Sequence, residues 1–201
     1  MTSALSALPI EFIGSFPDPV HKLEPELPEF AFIGRSNVGK SSLLNALVAK
    51  KGLARVSSTP GKTQLLNVFR LPPFYLIDLP GYGFAQSSQA ARREYRILLE
   101  SLLRTRASLT GIVWLLDIRH KPSVDDQDFQ TLLVEAGKPV LAVFTKADKI
   151  TRSKHAATVA ERARELGLAA DEVQLVSANT GQGISELGDA LLAAASNPET
   201  V

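Results

Sequence analysis

The chain has 201 residues, of which 45% are hydrophobic and 21% charged, and it contains no cysteine. These proportions fit one domain with a core of its own and exclude disordered, collagen-like and disulfide-framed chains, thiolate metal sites and cysteine nucleophiles. The net charge is +1, but it is uneven: residues 30–77 carry seven bases and no acid, residues 78–106 add five arginines against three acids, and both flanks are acidic. Such a basic middle marks either a polyanion-binding face or a solvated surface. No apolar run reaches the length of a membrane span. The N-terminus has no basic segment before its first charge, Glu11, and does not read as a signal peptide. A soluble, cytoplasmic monomer that stays off membranes is expected.

Residues 1–28 hold five prolines and read as an arm, packed on the domain or trailing from it. Residues 29–34 are a short buried strand ending in a glycine. Residues 40–49 are a helix with Leu43, Leu44 and Leu47 on one face and Gly52 as its stop. Residues 55–63, mostly Ser, Thr, Pro, Gly and Lys, are a loop. Leu65–Leu71 and Phe74–Ile77 are apolar runs separated only by Pro72 and Pro73, which predicts an antiparallel hairpin. A basic helix is expected over 90–106, a strand over 112–116, then a helix to Glu135. Strands at 140–144 and 173–176 alternate with helices at 153–166 and 184–195. This alternation predicts an α/β domain over 29–196, a mostly parallel sheet with helices on both faces, and a frayed tail over 197–201.

Residues 34–41, Gly34-Arg35-Ser36-Asn37-Val38-Gly39-Lys40-Ser41, match the phosphate-binding P-loop between a strand and a helix. Gly34 and Gly39 let consecutive amides face a phosphate, and the helix N-terminus adds positive potential. Lys40 is expected on the β and γ phosphates, Ser41 on Mg²⁺, and Ser42 beside it in the nucleotide site. Asp78 ends an apolar run and opens Asp-Leu-Pro-Gly81. The carboxylate is placed to hold Mg²⁺ and the Gly81 N–H to meet a γ-phosphate. Between these motifs, the loop residues Gly61, Lys62 and Thr63 are expected at the nucleotide, with Thr63 ligating Mg²⁺ only when the γ-phosphate is present. Thr59 competes for that role.

Thr145-Lys146-Ala147-Asp148 follows the strand 140–144. An aspartate there accepts from guanine N1–H and the 2-amino group, for which adenine has no matching donor pair. The Lys146 stem covers the base, and Ser177-Ala178-Asn179 close the base pocket. Tyr82 stands after Gly81, where many GTPases carry a water-orienting glutamine. Slow intrinsic turnover, stimulated by a partner or by K⁺, is therefore expected. Asn37 lies three residues before Lys40, and resemblance to GTPases that lack the glutamine and hold K⁺ with an asparagine there makes it the candidate K⁺ ligand, with a plain loop-turning role as the alternative.

With these motifs in place, the chain resembles the EngB/YihA/YsxC family of bacterial ribosome-assembly GTPases, which are translation-factor-type P-loop GTPases. The resemblance implies a six-stranded sheet with one antiparallel strand, GTP hydrolysis to GDP and phosphate, and a role in maturing the large ribosomal subunit. Arg92, Arg93 and Arg96, with Arg104 and Arg106 nearby, are the candidate ribosomal RNA contacts. A GTPase with a protein partner, a nucleotide-gated binding module and a P-loop kinase or ATPase are the competing functions. His21, His120 and His155 are read as solvent-exposed, Trp114 as core, and Asp125, Asp126 and Asp128 as a solvated helix face.

Overall fold

The computed structural model describes residues 3–50, 52–53, 65–83 and 89–196. In chain order the elements are β1 (Glu11–Phe16), β2 (Glu29–Gly34), α1 (Lys40–Leu47), β3 (Leu66–Leu71), β4 (Phe74–Asp78), α2 (Gln89–Thr105), β5 (Leu109–Asp117), α3 (Val124–Ala136), β6 (Val140–Thr145), α4 (His155–Glu165), β7 (Val173–Leu175) and α5 (Ile184–Ser196). The strands form one sheet in the order β1-β3-β4-β2-β5-β6-β7.

β3 alone runs against the others, pairing antiparallel with β1 and β4, while β2, β4, β5, β6 and β7 are parallel. Pro72 and Pro73 make the tight β3–β4 turn. The expectation of six strands is corrected to seven. The added strand is β1, which pairs Phe16 with Leu66 and Glu11 with Arg70 at the sheet edge. An ion pair of 2.6 Å between Arg70 and Glu11 joins the same two strands. The first residues are also packed down: Leu5 is fully buried, and a Cβ on Gly188 of α5 would collide with the Ser3 hydroxyl.

Two apolar layers flank the sheet. On one face Leu43, Leu44 and Leu47 of α1 meet Ile184, Leu187 and Leu191 of α5. On the other, Leu99, Leu102 and Leu103 of α2 meet Phe129, Leu132 and Leu133 of α3. Each such buried side chain contributes about 1.5–3 kcal/mol, before the entropy of ordering is subtracted. All six residues of β2 are buried, as a parallel strand covered on both faces must be. The end of α1 differs from expectation. Helix geometry stops at Leu47, and Ala49, at φ 51°, takes the left-handed turn before Gly52 is reached.

Two charged groups depart from the sequence reading. Arg106 is 6% exposed and Glu29 2%, so Arg106 is no surface contact. Its guanidinium forks onto both Glu29 oxygens, with Nη2 3.0 Å from Oε1, and donates to Pro19 O at 2.7 Å. The buried pair ties the end of α2 to the start of β2. Asp126 is 3% exposed and belongs to no solvated face. It forms a capping box with Ser123 at the start of α3, accepting from the Ser123 N–H at 2.8 Å. Trp114 lies in the core as expected, 1% exposed. His155 is half-buried, with Nε2 3.1 Å from Ala147 O, while His21 and His120 are exposed.

Candidate phosphate and guanine site

The C-terminal ends of β4, β2, β5, β6 and β7 converge on one edge, the place where parallel α/β sheets bind ligands. The phosphate loop leaves β2 at Gly34, where any Cβ would lie 2.9 Å from the Leu115 backbone oxygen and from Val38. Glycine is required there by contact. Asn37, at φ 64°, and Gly39, at φ 107°, turn the chain into α1. Lys40, Ser41 and Ser42 form the first turn of that helix, so its unpaired amides and its lysine face one space.

Lys40 Nζ donates to Asp78 Oδ1. Asp78 is 4% exposed at the end of β4, and the ammonium neutralises a carboxylate that burial would otherwise penalise. Gly81 follows closely against the phosphate loop, its would-be Cβ 2.9 Å from Ser36 N. The structure thus brings Lys40 against Asp78 and Gly81 against the phosphate loop, with Ser41 next to Lys40 in the first turn of α1. Gly61, Lys62 and Thr63, with Thr59, Arg55 and Phe84, lie outside the described residues.

Tyr82 does not face the phosphates. It is 8% exposed, stacks on Phe129 with ring centroids 4.5 Å apart, and donates its hydroxyl to Asp126 Oδ1 at 2.8 Å.

At the base end, Asp148 follows β6 on a short 3-10 turn, Ala147–Lys149. Ser177 Oγ donates to Asp148 Oδ1 at 2.7 Å, and Asn179 Nδ2 lies 3.5 Å from Oδ2. The Ser177 hydrogen bond is the main cause of a carboxyl held below its ordinary value. An ionised, pre-aimed acceptor suits two ring donors. Ser177 is buried and Ala178 half-buried between these partners. Thr145 departs from a direct nucleotide contact: at 3% exposure its hydroxyl donates to Val38 O at 2.7 Å. It braces the phosphate loop from β6.

Lys146, at φ 61°, donates to Asn37 O at 2.5 Å and pairs with Asp117 Oδ2 at 2.9 Å. The lysine expected over the base is therefore fastened to the phosphate loop. Asp117 is a site residue that the sequence reading missed. Its signal was its place: an acid at the C-terminal end of the apolar β5, as Asp78 is on β4. Burial alone would raise its carboxyl, but hydrogen bonds from Arg119 and Lys146 outweigh it and hold the pKa at about 2. A cavity of about 360 Å³ between the phosphate loop and residues 117–122 includes Arg35, Asn37, Asp117 and Lys146 in its lining.

Because the folded value is depressed, the Asp117 contribution is complete above the ordinary value of 3.8 and is lost only as pH falls through about 2. Guanine nucleotide affinity, measured calorimetrically from pH 7 to pH 5, is expected to show no titration from Asp117.

Comparison with known proteins agrees with this geometry. A family model described as "50S ribosome-binding GTPase" matches residues 29–146. A probable GTP-binding protein EngB of Geobacter metallireducens is 47% identical over 178 residues, 88% of this chain and 87% of the relative. The crystal structure of a probable GTP-binding protein EngB superposes with a TM-score of 0.69 at 23% identity, covering 84% of this chain and 99% of that one. Era, in complex with MgGDPNP and nucleotides 1506–1542 of 16S ribosomal RNA, superposes with a TM-score of 0.60 at 24% identity, over 84% of this chain and 56% of Era. At such identities the two structures establish the fold, and the relative and the family model establish the rest: the chain belongs to the EngB family of GTP-binding proteins, and its domain is that of a GTPase.

Proposed function

We propose that this protein is a slow GTPase whose nucleotide state gates its binding to the large ribosomal subunit or its precursor during assembly. The observation that carries the ribosome reading is the match of residues 29–146 to a family described as binding the 50S ribosome. Arg92, Arg93 and Arg96 are exposed on α2, the helix that follows the Asp78–Gly81 segment. Positive charge there is placed to make affinity for RNA depend on the nucleotide. Arg96 is also paired with Glu100 at 2.8 Å, so its contact requires release from that partner.

In the site, Lys40 moves from Asp78 to the β and γ phosphates, and Gly81 N–H meets the γ-phosphate. Ser41 and Asp78 are hard oxygen donors that fit Mg²⁺, and Asp78 already holds a cation, the Lys40 ammonium. Thr63 completes the set from outside the described residues. The ion supplies charge neutralisation at the transferring phosphoryl group. Asp148 reads guanine, and Thr145, Lys146 and Asp117 keep base and phosphate ends in register.

No side chain of the Gly81–Gly83 segment orients the attacking water, because the one candidate, Tyr82, is committed to α3. Turnover is accordingly slow and completed by K⁺ or a partner. Asn37 is the K⁺ candidate: it is exposed, in the left-handed conformation, at the mouth of the phosphate loop. Hydrolysis is expected to run at least about tenfold faster in KCl than in matched NaCl; equal rates in a phosphate-release assay would remove K⁺ from the mechanism.

The ribosome reading is tested by co-sedimentation with separated subunits in a non-hydrolysable GTP analogue, in GDP and without nucleotide, over a salt series. Analogue-dependent binding to the large subunit is expected. Replacing Arg92, Arg93 and Arg96 by alanine should flatten the log–log salt dependence by about one unit per lost contact and leave GTP affinity intact. Binding to neither subunit in any state would reject the ribosomal role.

A further inference from the structure

We propose that Tyr82 is a positioning residue for γ-phosphate recognition: pinned through its hydroxyl to Asp126 and Trp114, it fixes the Gly81 backbone against the phosphate loop and so sets the preference of the site for GTP over GDP. This rests on the assignment of Gly81 as the γ-phosphate contact.

The backbone of Tyr82 is stitched to the phosphate loop on both sides. Its N–H donates to Gly34 O at 3.2 Å, and its carbonyl accepts from Ser36 N–H at 2.9 Å. Ser36 Oγ approaches the same carbonyl at 3.3 Å. Arg35 and Tyr82 thereby form an isolated parallel bridge. The glycines on either side leave room for nothing else. A Cβ at Gly81 would lie 2.9 Å from Ser36 N, and one at Gly83 would lie 3.0 Å from Arg35 Nε, on a backbone at φ 72°.

Below that bridge the side chain is held at three points. The ring stacks on Phe129 with planes 13° apart. The hydroxyl donates to Asp126 Oδ1 at 2.8 Å and accepts from Trp114 Nε1 at 2.9 Å. Both partners are fixed independently. Trp114 is central in β5, and Asp126 is locked by Ser123, whose hydroxyl donates to Oδ2 at 2.6 Å. Burial, with the Asp126 carboxylate beside it, holds the phenol well above its ordinary pKa. It stays a neutral donor.

A core-filling aromatic needs no hydroxyl, and Phe would pack there as well. Here the hydroxyl satisfies two buried polar groups at once, so its direction is fixed as well as its depth. A peptide N–H that must find a phosphate oxygen gains most from a neighbour that cannot shift, because the ordering cost is met before the ligand arrives. GDP has no γ-phosphate and receives no such gain. The pin therefore acts on one nucleotide and not the other.

The experiment measures GDP and non-hydrolysable GTP analogue affinities for the wild type, Tyr82→Phe, Trp114→Phe and Ser123→Ala. Tyr82→Phe keeps the ring and loses the pin; the analogue should bind about tenfold more weakly and GDP within about twofold of wild type. Trp114→Phe removes one hydrogen bond and should shift the ratio in the same direction by about threefold, which keeps the test alive if Tyr82→Phe fails to fold. Ser123→Ala releases Asp126 from its lock and weakens the α3 cap; it should lower Tm and shift the ratio in the same direction, by no more than the Trp114 variant. Equal losses for both nucleotides, or a fall in Tm alone in the Tyr82 and Trp114 variants, would overturn the proposal. A wild type that binds no GDP would overturn the underlying site assignment instead.

Discussion

Asp148→Asn is expected to weaken GTP binding by about 100-fold while raising affinity for xanthosine triphosphate. The carboxylate offers two acceptors and is aimed by Ser177 and Asn179. An asparagine keeps one acceptor and turns a donor toward guanine's 2-amino group, so two donors face each other. Xanthine carries a carbonyl in place of that amino group, and the new donor then has a partner. Competition against a labelled guanine nucleotide measures both effects. Equal loss for GTP and xanthosine triphosphate would show that Asp148 supports the loop without reading the base.

Arg106→Ala is expected to produce the largest fall in stability, about 3–5 kcal/mol, or roughly 10 °C in Tm. The cause is the buried carboxylate left behind: Glu29 is 2% exposed and accepts two guanidinium hydrogen bonds. Replacing both partners by methionine should recover much of the loss, because an apolar pair leaves no uncompensated charge. Thermal denaturation decides it. A variant with unchanged Tm would mean that the pair is worth little; a simultaneous loss of ribosome binding at unchanged Tm would return Arg106 to the RNA face.

What the sequence revealed follows from how local each signal is. The phosphate loop is eight consecutive residues whose chemistry needs their order, so Gly34 to Ser41 could be placed on a strand and a helix without coordinates. Asp78 was legible because it ends an apolar run, and Asp148 because it closes the Thr-Lys-x-Asp motif that follows one. Features that depend on a distant partner were hidden. Arg106 counted as one more base in a basic stretch, and its acid lies 77 residues earlier in the chain. Asp126 looked like one of three solvated acids. The Ser123-x-x-Asp126 spacing carries a capping-box signal that the sequence reading did not take up, and only the fold brings Tyr82 to it. β1 escaped notice because an edge strand with mostly exposed or half-buried residues shows little alternation. The absence of a glutamine at position 82 was plain, whereas the destination of the tyrosine ring was not: that required knowing that α3 begins beneath Gly81–Gly83.

The most direct test of the nucleotide switch is an equilibrium competition in which labelled GDP bound to the wild-type protein is displaced by GTP, GDP or ATP, with Mg²⁺ present. GTP and GDP should both displace the label, and ATP should fail at concentrations about 1,000-fold higher. Displacement by ATP at concentrations comparable to GTP, or no binding of GDP at all, would contradict the assignment of Asp148, Lys146 and the phosphate loop to a guanine nucleotide.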